Sequence, residues 1–89
     1  MDVNNISIPA RSRRAFILTR LQRADGVIYD DLIAEVIDAF PYMPGRRAVR
    51  AVRLLMWHGL VTTEPDESVW LTPSGWQAAG ELAARLVAS

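Results

Sequence analysis

Four arginines, Arg46, Arg47, Arg50 and Arg53, stand close together with no acidic residue among them, in the stretch PGRRAVRAVRLLMWHGLV that covers residues 44–61. A guanidinium stays charged at any physiological pH. It carries five donors in a planar fork that matches the oxygens of a phosphate or carboxylate. On a helix turning about 100° per residue, Arg46, Arg50 and Arg53 share one stripe and Arg47 lies at its edge. Ala48, Val52, Leu55 and Met56 fall on the opposite side, with Val49 near them. Adjacent cations repel, so their partner belongs outside the helix. A phosphate backbone or an acidic protein surface has the required charge. An arginine face on an amphipathic helix can equally be a solvated face with no partner, so the surrounding chain has to decide.

The remaining reactive residues do not assemble into a catalytic set. The chain has one histidine, no cysteine and no lysine. His58 falls in the last turn of the expected helix, where positive charge suits the helix dipole, and capping or exposure is its expected role. A single histidine among scattered carboxylates gives no metal-ligand spacing. Asp30 and Asp31 look like a helix start rather than an acid–base pair. Gly45-Arg46-Arg47 lacks the spacing of a phosphate-binding loop. The chain reads as a non-enzyme without metal or cofactor.

Composition sets the frame for that arginine helix. Eighty-nine residues with 51% hydrophobic and 22% charged side chains make one soluble domain with a small core. No signal peptide or membrane-length apolar run is visible. The absence of cysteine rules out disulfides and agrees with a cytoplasmic setting. A net charge of +0 argues against nonspecific coating of nucleic acid. The charges are segregated, however. Arg11, Arg13, Arg14, Arg20 and Arg23 come first, then Asp25, Asp30, Asp31, Glu35 and Asp38, then the central arginines, then Glu64, Asp66, Glu67 and Glu81 against Arg85. All ten basic residues are Arg. That suits bidentate contact with phosphate or guanine, and a GC-rich coding sequence produces the same bias.

Taken in order, residues 1–10 have no clear period and read as a flexible tail before a domain over 11–89. A first helix begins at Pro9 or Ser12 and runs to about Ala24, burying Ile17, Leu18, Leu21 and Ala24, with Arg13, Phe16, Arg20 and Arg23 on the other side. Asp25-Gly26 stops it. Val27-Ile28-Tyr29 makes a short edge strand. Asp30 caps a second helix over 31–40 whose apolar face is Ile33, Val36, Ile37 and Phe40. Pro41 to Pro44 form a corner, and the arginine helix follows over 44–58, closed by Gly59. Residues 60–63 and 68–71 read as two strands of a hairpin around Glu64-Pro65-Asp66-Glu67. Thr72 caps, and Pro73 opens, a last helix with Trp76, Ala79, Gly80, Ala83, Leu86 and Val87 along one side. The expected class is mainly α with a small β-hairpin, in the order helix-strand-helix-helix-strand-strand-helix.

This order resembles the winged helix-turn-helix domain, and specifically bacterial regulators of the MarR and PadR kind. RAVRLLMWHGLV at 50–61 is similar to the end of that family's recognition helix. LTPSG at 71–75 is similar to the Leu-Thr-x-x-Gly that follows its wing. The likeness spans about residues 13–86. It implies that the second and third helices form a helix-turn-helix and that residues 44–53 face the major groove. Arg46, Arg47 and Arg50 are then candidates for base or phosphate contact. Arg53 lies nearer the backbone, Arg11, Arg13 and Arg14 contact phosphates, and Tyr42 either donates to a phosphate or packs in the corner.

Three features depart from the family. The wing carries Glu64, Asp66 and Glu67 where a basic residue is usual, which keeps its tip off the duplex or turns it toward a protein. Glu35 and Asp38 put acid near the expected DNA side. Met56 and Trp57 stand where charged residues are common, Trp57 reading first as cover for the hairpin and otherwise as an exposed anchor. Terminal helices in the resembled families often build dimers, which makes Trp76, Ala79, Ala83 and Leu86 the expected homodimer surface, with Trp57 a further partner contact. The leading expectation is a sequence-specific DNA-binding regulator of prokaryotic or phage type. The competing ones are a protein-interaction adaptor and an excisionase-like architectural protein that binds DNA beside a larger partner.

Overall fold

The computed structural model describes residues 8, 9 and 11–88, with side chains up to Arg85. The chain forms α1 (Arg13–Arg23), β1 (Val27–Ile28), α2 (Tyr29–Ala39), α3 (Gly45–Trp57), β2 (Val61–Thr63), β3 (Ser68–Leu71) and α4 (Pro73–Ala88). This is the order read from the sequence. β3 is the middle strand of a three-stranded antiparallel sheet, β1-β3-β2, in which Val27 pairs with Val69 and Thr62 with Trp70.

α1 is the hub, packing against α4, α3, α2 and β3. Ser12 caps it, its hydroxyl accepting from the Ala15 N–H at 3.2 Å. Ile17, Leu18 and Leu21 are fully buried, each contributing about 1.5–3 kcal/mol of hydrophobic stabilisation. Ala24, expected in this stripe, is instead the exposed C-cap, and Ala15 takes the buried position a turn earlier. Phe16 does not face solvent. It packs edge-to-face on Phe40 with ring centroids 6.0 Å apart. Ile8 is also in the core, and its carbonyl accepts from Arg85 at 3.1 Å. Ile8 thus belongs to the core, while residues 1–7 and 10 of the tail expected over 1–10 lie outside the described residues.

α2 starts two residues earlier than expected, at Tyr29, with Ile28 as an N-cap that makes no side-chain bond. Asp30 is thus not the cap. Asp30 and Asp31 sit in the first turn, where their charge suits the dipole. The buried residues are Leu32 and Val36, with Ile33 and Phe40 half-buried and Ile37 exposed. The face is rotated by about one residue from the expected one. Leu32, Ile33, Val36 and Ile37 form a broad apolar arc, and the helices behind it select which half is covered.

Two tight contacts hold the hairpin and α4. Asp25 Oδ1 accepts from Gly26 N and Leu71 N, both at 3.0 Å, fastening the turn after α1 to β3. Thr72 caps α4 as expected, its hydroxyl accepting from Gly75 N at 3.0 Å. A Cβ on Gly75 would lie 1.9 Å from the Leu60 carbonyl oxygen, so only glycine allows α4 to start this close to the strand. Gly59, at φ +73, takes the left-handed turn that leads the chain out of α3 into β2.

Candidate nucleic-acid interface

α3 is held from behind by Ala48, Ala51, Val52 and Leu55, all buried. Met56, expected on that face, is 40% exposed, and Ala51 takes its place. The front carries Arg46, Arg47, Arg50 and Arg53, all exposed. The one ion pair among the described residues lies elsewhere, between Arg20 and Glu35. The only side-chain bond made by an α3 arginine among the described residues runs from Arg47 Nη1 to the Met43 sulfur at 3.6 Å, a weak acceptor. The first turn of α3 has Arg46 and Arg47, no acid, and no side-chain cap from Pro44. Cations at this positive end of the dipole are unfavourable by about 0.3–1 kcal/mol each, a penalty that an external anion removes.

Around the helix axis the side chains that are not buried fall into three sectors. Arg46, Arg53 and Trp57 point away from the core. Arg47 and Leu54 turn toward α1, with Arg50 between, and Met56 turns toward the hairpin. On the α1 side, Arg47, Arg50, Ala51 and Leu54 line a cleft of about 320 Å³ together with Ser12, Arg13 and Arg14. The Arg13 Nε in this region is closed to solvent and has no hydrogen-bond partner among the described residues, a situation unfavourable by about 1–3 kcal/mol. Arg11 is exposed. The cleft was not visible in the sequence. Its one signal was the Ser12 cap, which fixes Arg13 and Arg14 in the first turn of α1.

On the other side, a depression is lined by Arg53 and Met56 from α3, Tyr29, and Thr63, Glu64 and Glu67 from the hairpin. The wing acids thus sit beside the arginine helix. Asp66 Oδ1 accepts from Ser68 Oγ at 2.6 Å and Ser68 N at 3.0 Å, and Ser68 Oγ accepts in turn from Trp70 Nε1 at 2.7 Å. The Ser68 bonds hold the Asp66 carboxyl below the ordinary carboxylate value.

The aromatic residues divide differently from expectation. Trp57 is 84% exposed rather than covering the hairpin, and Tyr42 is 98% exposed rather than packed in its corner. Among the expected dimer residues, Trp76 is 44% exposed, while Ala79 is completely buried in the chain's own core and offers no outer surface. Ala83 is half-buried. The side chain of Leu86 lies outside the described residues.

A helix-turn-helix of α2 and α3, a short β-hairpin and flanking α1 and α4 together make a winged-helix α+β fold. The crystal structure of SSV1 F-93 is similar to it, with a TM-score of 0.70 and 27% sequence identity over 93% of this chain and 94% of that chain. No protein-family model matches the sequence. No curated protein matches it.

Proposed function

We propose that this chain binds double-stranded DNA sequence-specifically, as a small regulator similar to the MarR and PadR kind, with α3 in the major groove. The observation that carries this reading is the set of four exposed arginines on α3 that no carboxylate of the described residues neutralises. Helix-turn-helix proteins place the N-terminal half of this helix against base edges. Arg46, Arg47 and Arg50 occupy that half, and Arg53 follows a turn later. Arg11, Arg13, Arg14 and Tyr42 flank it and add backbone contacts. Dimerisation through the outer side of α4, at Trp76 and Ala83, would present two such helices and double a small footprint. Selection of bound duplexes from a random pool, followed by fluorescence anisotropy with the selected and scrambled sequences, tests the reading. A preference of 10³ or more is the expected order; equal binding of both sequences, or none, contradicts it.

A second reading is favoured by one observation, the 84% exposure of Trp57 beside a half-exposed Met56 and an acidic wing. It makes the chain an adaptor that docks a protein, alone or, as an excisionase-like architectural protein, next to DNA. Co-purification of one stoichiometric protein partner, lost in Trp57→Ala, with no duplex shift at low salt, would favour the adaptor.

A further inference from the structure

The void between the first turn of α1 and the flank of α3 is bordered by arginines from both helices. Arg13 and Arg14 stand on one wall, Arg47 and Arg50 on the other, over Ala51 and Leu54, and no acidic side chain of the described residues lines it. The Arg13 Nε donor is buried and unpartnered among the described residues. α1 brings no acid in its first turn to offset its positive end. Four arginines from two helices and the N-terminal turn of α1 therefore border one space of about 320 Å³. Bidentate, charge-assisted bonds from arginine are the strongest pairing such a space offers, and phosphate is their natural acceptor.

We infer that this cleft seats one backbone phosphate of the DNA, clamped between Arg13 of α1 and Arg47 of α3. The inference rests on the DNA-binding reading and divides its arginines into two sets. Arg47 joins Arg13 and Arg14 as a backbone-positioning residue and does not read bases. Arg46 and Arg53, roughly 100° or more away on the outward face, remain to meet base edges. A phosphate fixed at one point sets where α3 lies along the groove and carries no sequence information itself.

The experiment uses the full chain and a selected duplex in which single phosphates are replaced one at a time by neutral methylphosphonates. One position should weaken wild-type binding by roughly tenfold and have no further effect on Arg13→Gln or Arg47→Gln, because each pair shares one interaction. Both variants should weaken selected and scrambled duplexes by the same factor and lower the salt slope by about one. Circular dichroism verifies that they fold, and the methylphosphonate scan on the wild type needs no variant at all. If wild type binds the duplex but no position couples to Arg13 or Arg47, the clamp is wrong and DNA binding stands. If wild type binds no duplex, inorganic phosphate is the remaining probe. A saturable shift of the Arg13 Nε–H resonance would then replace the backbone phosphate by a free anion, and no shift would remove the site; either result overturns the clamp.

Discussion

Arg20 and Glu35 form a two-pronged ion pair, Nε to Oε1 at 2.6 Å and Nη2 to Oε2 at 3.2 Å, which ties α1 to α2. The Glu35 bond raises the Arg20 pKa above its ordinary value, partial burial opposes it, and the charge of Glu35 adds to the rise. The pairing satisfies one base of α1 and one acid of α2 within the chain. Glu35, expected near the DNA side, is thus already paired within the chain. Replacing it by Ala should lower unfolding stability by about 1 kcal/mol, the upper range for exposed pairs, because this pair is bidentate and partly covered. Urea unfolding measures that. Duplex affinity should not fall in the same variant, and a clear fall would place Glu35 in the interface as a positioning residue.

The front of α3 should be separable from its back. Arg50→Ala, or Arg46→Ala with Arg47→Ala, should abolish specific duplex binding while the circular dichroism spectrum and melting temperature remain those of the parent. Val52→Ala, at a fully buried position, should do the reverse. It should lower stability by about 1–3 kcal/mol and leave affinity of the folded fraction unchanged.

Gly75 is predicted to be the least replaceable residue outside the hydrophobic core. Alanine there would drive a Cβ to 1.9 Å from the Leu60 carbonyl oxygen, and backbone rather than a movable side chain has to yield. The expected loss is about 3 kcal/mol, a fall in Tm of roughly 10–20 °C for a domain of this size. Calorimetry showing a Tm within a few degrees of the parent would mean that α4 starts farther from β2 than described.

The hairpin should loosen in acid. The bonds from Ser68 depress the Asp66 pKa below its ordinary 3.8. A depressed folded value means that the contribution is fully present above 3.8 and is lost as pH falls through the lower folded pKa. The Trp70 indole N–H, one bond further along the chain Asp66–Ser68–Trp70, reports it by NMR. Its resonance should be constant from neutral pH to about pH 4 and move below that. Asp66→Asn should flatten the profile.

Most of the fold was legible because its boundaries are written in local chemistry. Ser12, Gly59, the Glu64–Glu67 turn and Thr72-Pro73 mark element ends through caps and turns that need no tertiary information. What was not legible depends on how helices cross. Ile37 reads as apolar as Leu32, and only the placement of α1 and α3 against α2 decides that Leu32 is buried and Ile37 is 40% exposed. Trp57 reads first as cover for the hairpin, yet it stands on the outward side of α3 with Arg46 and Arg53 and is 84% exposed. Trp57→Ala should accordingly change stability by no more than about 0.5 kcal/mol. The arginines of α3 were visible as a stripe. Their division between an outward face and the cleft with Arg13 was not, since residues more than thirty apart meet only in the folded chain.

Equilibrium binding of a selected duplex over about 50 to 200 mM salt measures how many phosphates the arginines meet, because log K falls by about 0.9 for each phosphate neutralised. A slope of about −4 is expected for the wild type, falling in magnitude by about one when Arg13 or Arg47 is removed and no further when both are, because they share one phosphate. A slope unmoved when either arginine is lost would contradict the clamp alone, whereas affinity that is flat with salt would contradict DNA recognition by this helix.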